Sequence, residues 1–437
     1  MRQESDKRHK MWKLIYNLIL PVGFLFYLPG LIYKYRNRGG WKSTYSERFG
    51  HFTPERRAEL AGFRGAVWIH AVSVGETVVA LGLIRAFLKS DPERKFVIST
   101  TTTTGQELAR KNISPNCTVI FAPIDFPWIV KDVLDLIRPS LLAIFETELW
   151  PNLIWQCRRR GIPLALVNGR ISDHSFRGYR KFKCFFRPLL ENFSVMLMQS
   201  AEDERRVLEI SPRAKTLLTG NLKLDQQLPE NLEDPGYERY FGKGKLILLG
   251  ASTHSGEEAL IAESYVALKK EFPELKLVLV PRHAERAEDV ISALDALKLK
   301  WHRRTAGECA AEVDVLLADT TGEMLKLMSA ADVVIMGKSL AGHDEGHNLI
   351  EPALLRKPIV TGAVLRNFRL LLELLRSGGG VLTVEHDSDL TGILAGLFRD
   401  PERRRALGEK AWAIISANRG AAEKSIAELE RLAETEK

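Results

Sequence analysis

A short segment combines a serine, a glycine and a glutamate at a point where a strand pattern changes into a helix pattern. In SVGE (73–76), Ser73 and Gly75 would let the first backbone N–H groups of the helix approach an anion closely. Glu76 is either a functional carboxylate or a first-turn residue that complements the helix dipole. A second acid, Glu47, follows a long apolar run and is either a general base or a charged linker residue.

A related arrangement occurs in the second half of the chain. GASTHSGEE (250–258) offers the hydroxyls of Ser252 and Thr253 before a helix, and fits a phosphate cradle as well as a plain N-cap. Arg282 and His283 directly follow a later strand, and an arginine supplies paired donors that suit a phosphate or a carboxylate. Two cradles with an arginine between them favour a nucleotide as the ligand.

Two more segments of the second half suit a nucleotide. In DTTGEM (319–324), Gly322 is expected to open a helix whose free N–H groups could meet a phosphate or a base. In EGHNLIEP (345–352), Asn348 would start a helix and Glu351 could accept hydrogen bonds from ribose hydroxyls. A capping residue and a solvated acid are the alternative interpretation of that pair.

Polar groups also collect at strand ends in the first half. ETELWPN (146–152) and NGRISDHSFRGYRKF (168–182) bring together Arg170, Ser172 and Arg177, which would form a rim that receives anions. No metal centre is expected. HDEGH (343–347) lacks the spacing of two histidines on one helix face, and the four cysteines lack CxxC spacing, which also favours a reducing compartment.

The elements that must position these residues form a repeating strand–helix pattern. Short apolar runs alternate with amphipathic helices from residue 66 onward, which predicts parallel sheets covered on both faces. The pattern loosens near residue 223 and restarts at 245, and one charged helix is expected to close the chain from about Glu402 to Glu436. The expected fold is α/β, with two doubly wound, Rossmann-like domains.

The amino terminus and the charge distribution favour a membrane partner. Residues 1–225 carry a net charge of +14 and residues 226–437 carry −6, so the first half attracts anions such as nucleic acid or anionic lipid. The 20 residues 14–33 contain no charge but hold two prolines, each expected to kink or end a helix, and basic residues flank the run. This pattern favours a segment that dips into one leaflet, and a bilayer crossing and a buried core helix are the open alternatives.

Nine motifs in order resemble those of the Kdo transferases, which transfer 3-deoxy-D-manno-octulosonic acid (Kdo) in lipopolysaccharide synthesis. They are ERFG, HAVSVGE, FETELWPN, NGRIS, GNLK, ASTHSGEE, VPRHAER, TTGEM and GHNLIEP. The resemblance implies a GT-B fold and inverting transfer from CMP-Kdo to a lipid A precursor without metal or cofactor. It also implies attachment to the cytoplasmic face of the bacterial inner membrane and no nucleic-acid partner.

The resemblance also implies domain bounds and site residues. The expected parts are a membrane segment (1–40), an acceptor domain (41–222), a linker (223–244) and a donor domain (245–437) whose last helix could return to the acceptor domain. The implied proton acceptor is Glu76 or Glu47. The acceptor-binding candidates are Ser73, Gly75, Glu148, Arg170, Ser172 and Arg177. The CMP-binding candidates are Ser252, Thr253, Pro281, Arg282, His283, Thr321, Gly322, Glu323, His347, Asn348, Leu349, Ile350 and Glu351.

One loop departs from the family pattern, because Glu345-Gly346 stands where a Gly-Gly pair is usual before His-Asn. Two other functions remain open at this stage. One is a membrane-associated GT-B enzyme that uses a UDP sugar, and the other is a non-catalytic lipid-binding scaffold. Nucleic-acid binding ranks last, because the basic half lacks the interleaved aromatic residues of a stacking platform.

Overall fold

The computed structural model of the chain describes residues 11–26, 46–229, 231–309 and 311–434. These residues form two compact units. The first contains the described residues within 1–226 and 419–437, and the second contains those within 227–418.

The first unit is built on a seven-stranded parallel sheet in the order β3-β2-β1-β4-β5-β6-β7. Its strands are β1 (Val67–His70), β2 (Phe96–Thr100), β3 (Cys117–Phe121), β4 (Leu141–Phe145), β5 (Leu164–Gly169), β6 (Val195–Met198) and β7 (Thr216–Leu218). The first six strands are buried along their whole length, as expected for a parallel sheet covered on both faces. The strand order reverses between β1 and β4, where Val67 pairs with Leu141 and His70 with Ile144.

Helices cover both faces of this sheet. They are α1 (11–26), α2 (Pro54–Ala61), α3 (Val74–Ser90), α4 (Thr103–Asn112), α5 (Pro127–Ile137), α6 (Pro151–Arg159), α7 (Asp173–Lys181), α8 (Lys183–Leu190), α9 (Ala201–Ile210) and the C-terminal helix (Ala421–Glu434). The C-terminal helix adds Leu429 and Leu432 to the core on one face of the sheet.

The second unit repeats the architecture with a different strand order, β10-β11-β9-β8-β12-β13-β14, all parallel. Its strands are β8 (Leu246–Thr253), β9 (Leu275–Pro281), β10 (Trp301–Arg303), β11 (Val315–Leu317), β12 (Val333–Met336), β13 (Ile359–Gly362) and β14 (Leu382–Val384). Its helices are α10 (Glu238–Phe241), α11 (Glu257–Lys269), α12 (Ala287–Ala296), α13 (Met324–Ser329), α14 (Ile350–Leu354), α15 (Arg369–Ser377), α16 (Leu390–Arg399) and α17 (Pro401–Ala417). The order reverses between β8 and β12.

The α/β fold with two doubly wound domains is confirmed, and the structure corrects three details. The pattern missed two short strands at sheet edges, β7 and β10. The single closing helix was wrong, because α17 ends at Ala417 and the C-terminal helix begins at Ala421, with Gly420 between them at φ +101°. Asp225 caps the new helix by accepting hydrogen bonds from the N–H groups of Gly420 (2.7 Å) and Ala422 (2.5 Å).

At the first proline of the apolar amino-terminal run, the structure excludes one of the two expected outcomes, the end of a helix. Helix α1 continues through Pro21, so this proline does not end it, while Pro29 and residues 27–33 lie outside the described residues. One side of α1 packs on the first unit, where Tyr16 donates a hydrogen bond to Asp125 (2.9 Å) and its ring meets that of Trp155. Among the helices of the described chain, we find none with the length and apolar character needed to span a bilayer.

Candidate functional site

The first candidate site lies at the carboxyl edge of the first sheet, where the strand order reverses between β1 and β4. In open parallel sheets such a reversal leaves a crevice in which ligands bind. The loop 71–73 leaves β1 here and the loop 146–150 leaves β4. Three glutamates interact electrostatically here: Glu146 and Glu148 on the second loop, and Glu76 in the first turn of α3.

Glu76 holds the start of α3. Ser73 Oγ accepts a hydrogen bond from the Glu76 N–H (3.2 Å) and donates to Glu76 Oε1 (2.8 Å), while the N–H of Val72 donates to Glu76 Oε2 (2.9 Å). These contacts form a capping box, so Glu76 does help to cap the start of α3. The carboxylate is nevertheless unusual. Burial is the largest influence on its pKa and raises it, the negative charge of Glu146 adds to the rise, and the three donors oppose it.

Two further carboxylates follow β4. Glu146 has a left-handed backbone at φ +53° and faces Lys223, whose Nζ lies 3.3 Å from its Oε1. Glu148 is half-buried, and burial together with the charges of Glu76 and Glu146 raises its pKa to about 6. In this carboxylate cluster (Glu76, Glu146 and Glu148), Glu148 can therefore take up and release a proton near pH 6.

A buried histidine ends β1 beside this cluster. Ser99 Oγ accepts a hydrogen bond from Trp68 Nε1 and lies 2.8 Å from His70 Nδ1. Among the residues that the structure describes, His70 Nε2 has no hydrogen-bond partner, although the side chain is almost completely buried. Burial lowers the pKa of His70 to about 4, so the ring is neutral at pH 7.

Glu47, the other candidate base, is committed to a structural contact. Its Oε2 accepts a hydrogen bond from the N–H of Phe121 at the end of β3 (3.1 Å), and its Oε1 lies 3.5 Å from Arg56 Nε. The neighbouring Arg48 donates to the carbonyl of Thr101. Glu47 thus fastens the segment 46–50 to the sheet.

The predicted acceptor-binding residues are mostly exposed around the same edge. Arg170, Ser172, Arg177 and Gly75 are exposed, and Ser73 and Glu148 are half-buried. Ser172 has a clear structural role, because it caps α7 by accepting a hydrogen bond from the N–H of Ser175 (3.1 Å).

The second candidate site lies at the carboxyl edge of the second sheet, at the reversal between β8 and β12. Glu257, the first residue of α11, is fully buried and accepts hydrogen bonds from four backbone N–H groups. The donors are His254 (2.8 Å), Lys338 (2.7 Å), Ser339 (2.8 Å) and Leu340 (2.9 Å). One carboxylate therefore ties the loop after β8 to the loop after β12.

Four histidines gather on these loops and at the end of β9. The Nε2 atoms of His254 and His347 are 3.2 Å apart and their rings are stacked, with centroids 5.3 Å apart. The rings of His343 and His283 lie 5.6 Å and 5.9 Å from that of His254. Burial is the largest influence that lowers the pKa of His254 and of His347, the latter to about 4.

Among the predicted CMP-binding residues near β9 and β11, some are exposed and one is already paired with another side chain. Arg282 is exposed, and its backbone N–H donates to the carbonyl of Thr253 (3.0 Å). Glu323 forms a paired contact with Arg304, at 2.8 and 2.9 Å, which holds the pKa of the glutamate down at about 2. Thr321 and Gly322 are exposed before α13, and Gly322 has φ +85°.

The remaining predicted residues differ in how far they are buried. Pro281, Thr253, Leu349 and Ile350 are buried, so their side chains belong to the core. Ser252, His347, Asn348 and Glu351 are half-buried, and His283 is exposed. Asn348 Oδ1 accepts a hydrogen bond from the N–H of Ile350 (3.1 Å), as expected for a residue that starts a helix. Across residues 11–26, 46–229, 231–309 and 311–434, we find no group of three or more His, Cys, Asp or Glu able to hold a metal ion.

Sequence reasoning missed several residues at both edges. They are His70, Glu146, Lys223, His254, Arg304 and His343. All but Arg304 lie within or just beside a segment that drew attention, but their partners are distant in sequence: 77 residues separate Glu146 from Lys223, and 93 separate His254 from His347. Titratable residues at the ends of several strands were the available signal.

Solved structures share the fold. UDP-GlcNAc 2-epimerase from Neisseria meningitidis matches with a TM-score of 0.56 at 16% identity, over 84% of this chain and 100% of that one. MurG from Acinetobacter baumannii matches with a TM-score of 0.54 at 13% identity, over 84% and 99%. The architecture is the GT-B fold expected from the sequence motifs.

Sequence comparison identifies the family. Residues 43–226 match the family model described as 3-deoxy-D-manno-octulosonic-acid transferase (kdotransferase). A 3-deoxy-D-manno-octulosonic acid transferase of Haemophilus influenzae is 32% identical over 380 residues, which are 84% of this chain and 89% of the relative. Another, from Bordetella pertussis, is 32% identical over 405 residues, or 90% and 93%. The chain therefore belongs to the 3-deoxy-D-manno-octulosonic acid transferases, a family of glycosyltransferases.

Proposed function

We propose that this protein transfers Kdo from CMP-Kdo to a sugar hydroxyl of a lipid A precursor, with inversion at the anomeric carbon. The observation that carries the proposal is the carboxylate cluster at the strand reversal of the first sheet, in a chain of this family. Inverting transfer needs a general base to take the proton of the attacking hydroxyl. A buried glutamate with a raised pKa, Glu76, has the basicity for that step.

Glu76 is the base in this proposal. Its pKa is raised by burial and by Glu146, which strengthens it as a proton acceptor, and the capping contacts hold it in one orientation. Glu47 is a poorer candidate, because Arg56 and the N–H of Phe121 already engage its carboxylate.

The second unit would hold the nucleotide sugar. Arg282 is exposed at the end of β9, where its guanidinium can stabilise the negative charge that develops on the departing CMP phosphate. The half-buried Glu351, in the first turn of α14, remains the candidate for the ribose hydroxyls. On the first unit, the exposed Arg170 and Arg177 suit the phosphates of the acceptor.

We also propose peripheral attachment to the cytoplasmic face of the inner membrane through α1. The outward side of this helix exposes six large apolar side chains over 55% to 82% of their surface: Leu14, Leu18, Ile19, Val22, Leu25 and Phe26. Exposed apolar patches of this extent mark interaction surfaces, and the positive charge of the first half suits anionic lipid.

Vesicle flotation tests the attachment. Wild-type protein should float with vesicles of phosphatidylethanolamine and phosphatidylglycerol, and Leu18→Glu should remain largely in the soluble fraction because a charge on that face opposes insertion. Val364→Glu is the matched control, since Val364 is also exposed (54%) but lies in the second unit. Equal flotation of wild type and Leu18→Glu would refute the role of α1.

A reconstituted reaction tests the activity. Purified protein is mixed with a tetraacylated lipid A precursor and either CMP-Kdo or UDP-N-acetylglucosamine, and the products are weighed by mass spectrometry. We expect the mass of the lipid to rise by one or more Kdo residues with CMP-Kdo and to stay constant with the UDP sugar. Transfer from the UDP sugar alone would overturn the proposed donor. Absence of transfer from either, by protein that still floats with vesicles, would support the scaffold interpretation.

A further inference from the structure

The histidine cluster of the second unit has a geometry that burial and capping do not explain. His254 follows β8 and His347 lies on the loop after β12, so the two meet at the strand reversal of the second sheet. Their Nε2 atoms, 3.2 Å apart, can share one hydrogen only, which means that one imidazole donates and the other accepts. Glu257 holds the backbone of His254 and of the 338–340 segment, so the pair is positioned by a buried network.

Burial and neighbouring positive charges both lower the pKa values of this pair; the charges include that of Lys338 for both rings and that of Arg282 for His347. His343 is fixed beside the pair, with its Nε2 3.0 Å from the carbonyl of Ser255. The anions nearby are neutralised, because Glu345 lies 3.6 Å from Lys338, Asp344 pairs with Arg366 and Glu258 pairs with Arg286. The charged and titratable groups around the pair are Glu257, Glu258, Arg282, His283, Glu285, Arg286, Lys338, His343, Asp344 and Glu345.

We propose that His254 and His347, with His343 beside them, form a subsite for the carboxylate of an acidic sugar donor, and that the pair takes up a proton when the carboxylate binds. The inference rests on the proposed function and extends it to the feature that separates a keto-acid sugar from a neutral one. Without a ligand, partial burial and the neighbouring cations lower the pKa of both rings, which disfavours their protonated forms. A bound carboxylate reverses that balance.

The proton has a defined place in this scheme. In the free protein, one Nε2–H is shared between the two rings. An added proton on the acceptor Nε2 puts two N–H groups face to face, so the contact opens and both donors turn to the carboxylate as charge-assisted hydrogen bonds. No covalent bond forms or breaks, and the proton comes from solvent.

Because proton uptake is linked to donor binding, the affinity for the donor must change with pH. The pKa of the pair is low in the free protein and higher in the complex, so donor affinity is greatest at low pH and falls as pH rises between the two values. The fall approaches tenfold per pH unit for one linked proton. A phosphodiester and a sugar carboxylate do not titrate above pH 5.5, which leaves the protein as the source of the effect.

Calorimetry in buffers of different ionisation enthalpy tests the proposal, with EDTA present so that no metal ion bridges the rings. The probes are CMP-Kdo and the methyl ester of CMP, a phosphodiester that lacks the carboxylate. Between pH 5.5 and 7, we expect uptake of about one proton with CMP-Kdo and almost none with the methyl ester. Equal uptake with both probes would assign the histidines to the phosphate and overturn the carboxylate subsite.

Variants separate this role from a structural one. His254→Gln and His347→Gln should each abolish proton uptake and weaken CMP-Kdo binding about tenfold at pH 6, since a charge-assisted hydrogen bond is lost. Both should bind the methyl ester within twofold of wild type, which shows that the loops are intact. The exposed His386→Gln is the control and should behave as wild type.

The outcomes also separate the inference from the proposed function. Tight binding of CMP-Kdo without proton uptake, or unchanged uptake in both histidine variants, would refute the subsite and leave Kdo transfer standing. Failure of wild-type protein to bind CMP-Kdo at any pH would overturn the proposed donor and the subsite with it.

Discussion

The carboxyl edges of the two sheets use glutamate in opposite ways. At the first edge, Glu76 and Glu148 are packed close to other carboxylates and their pKa values are raised. At the second edge, Glu257 accepts four backbone N–H groups, and Glu323 pairs with Arg304 and has a pKa of about 2. Like charges held together favour proton exchange, whereas a fully engaged carboxylate is a fixed charge.

The comparison shows that the same architecture can use glutamate for two different purposes. A doubly wound domain offers a crevice at its strand reversal, and the chemistry of that crevice depends on whether its carboxylates have partners. The first edge suits removal of a proton from an acceptor hydroxyl. The second edge suits recognition of a nucleotide sugar by arginine, histidine and backbone N–H groups.

Glu76→Gln should produce the largest effect. Glutamine can keep the capping box but cannot take a proton, so kcat should fall by about 10²–10⁴-fold while the thermal midpoint stays close to wild type. Initial rates and thermal unfolding are measured together. Glu107→Gln, an exposed glutamate on α4, is the control. Near-normal turnover of the Glu76→Gln variant would mean that another residue is the base. Glu47→Gln would then be the next variant to assay.

Glu257→Ala tests the opposite property at the second edge. Removing the carboxylate leaves four N–H groups without their acceptor, and the cost should be on the order of 3 kcal/mol in the free energy of unfolding. Hydrogen exchange should accelerate most for the amides of residues 338–340. Glu263→Ala, an exposed position on the same helix, is the control. Unchanged protection of those amides would show that Glu257 does not organise the two loops.

The sequence predicted the buried centre of both sheets because continuous apolar runs between amphipathic helices are a strong pattern. It missed β7 and β10, since each has three residues, lies at a sheet edge and is only partly buried. It also extended one helix across residues 418–420. The break there depends on Asp225, almost two hundred positions away, which offers the new helix its cap.

Site residues could be predicted where they belong to one contiguous motif. They could not be predicted where the order of strands in the sheet brings distant residues together. Glu76 stood out because Ser73, Gly75 and the start of α3 are contiguous. His254 and His347 lie together only because β8 and β12 are neighbours in the sheet, and a strand pattern alone does not give that order. Likewise, the sequence does not show that Glu323 pairs with Arg304, because only the fold brings these two residues together.

Glu148→Gln should move the pH dependence of catalysis. The pKa of Glu148 is about 6 and that of Glu76 is raised, and a carboxylate base works only when ionised, so kcat/KM should rise with pH as these two glutamates lose their protons. Removing one negative charge lowers the pKa of Glu76, and the acid limb should shift to lower pH by roughly 0.5–1 unit. Rates between pH 5 and 8 measure the shift. Glu323→Gln is the matched control, because that carboxylate is already fixed by Arg304, and an equal shift in both variants would remove the distinction between the two edges.

Lys223→Met should give the smallest effect, with the opposite sign. Lys223 Nζ lies 3.3 Å from Glu146, and about a third of its side chain is exposed, so water and salt weaken its influence. Without this cation, the charge of Glu146 acts more strongly on Glu76 and Glu148 and raises both pKa values. The acid limb should then move to higher pH by about 0.3 unit at low salt, and by less at 0.5 M NaCl because of screening. A shift to lower pH, or one that salt leaves unchanged, would mean that Lys223 acts on the reaction by contact rather than through the charge of the carboxylate cluster.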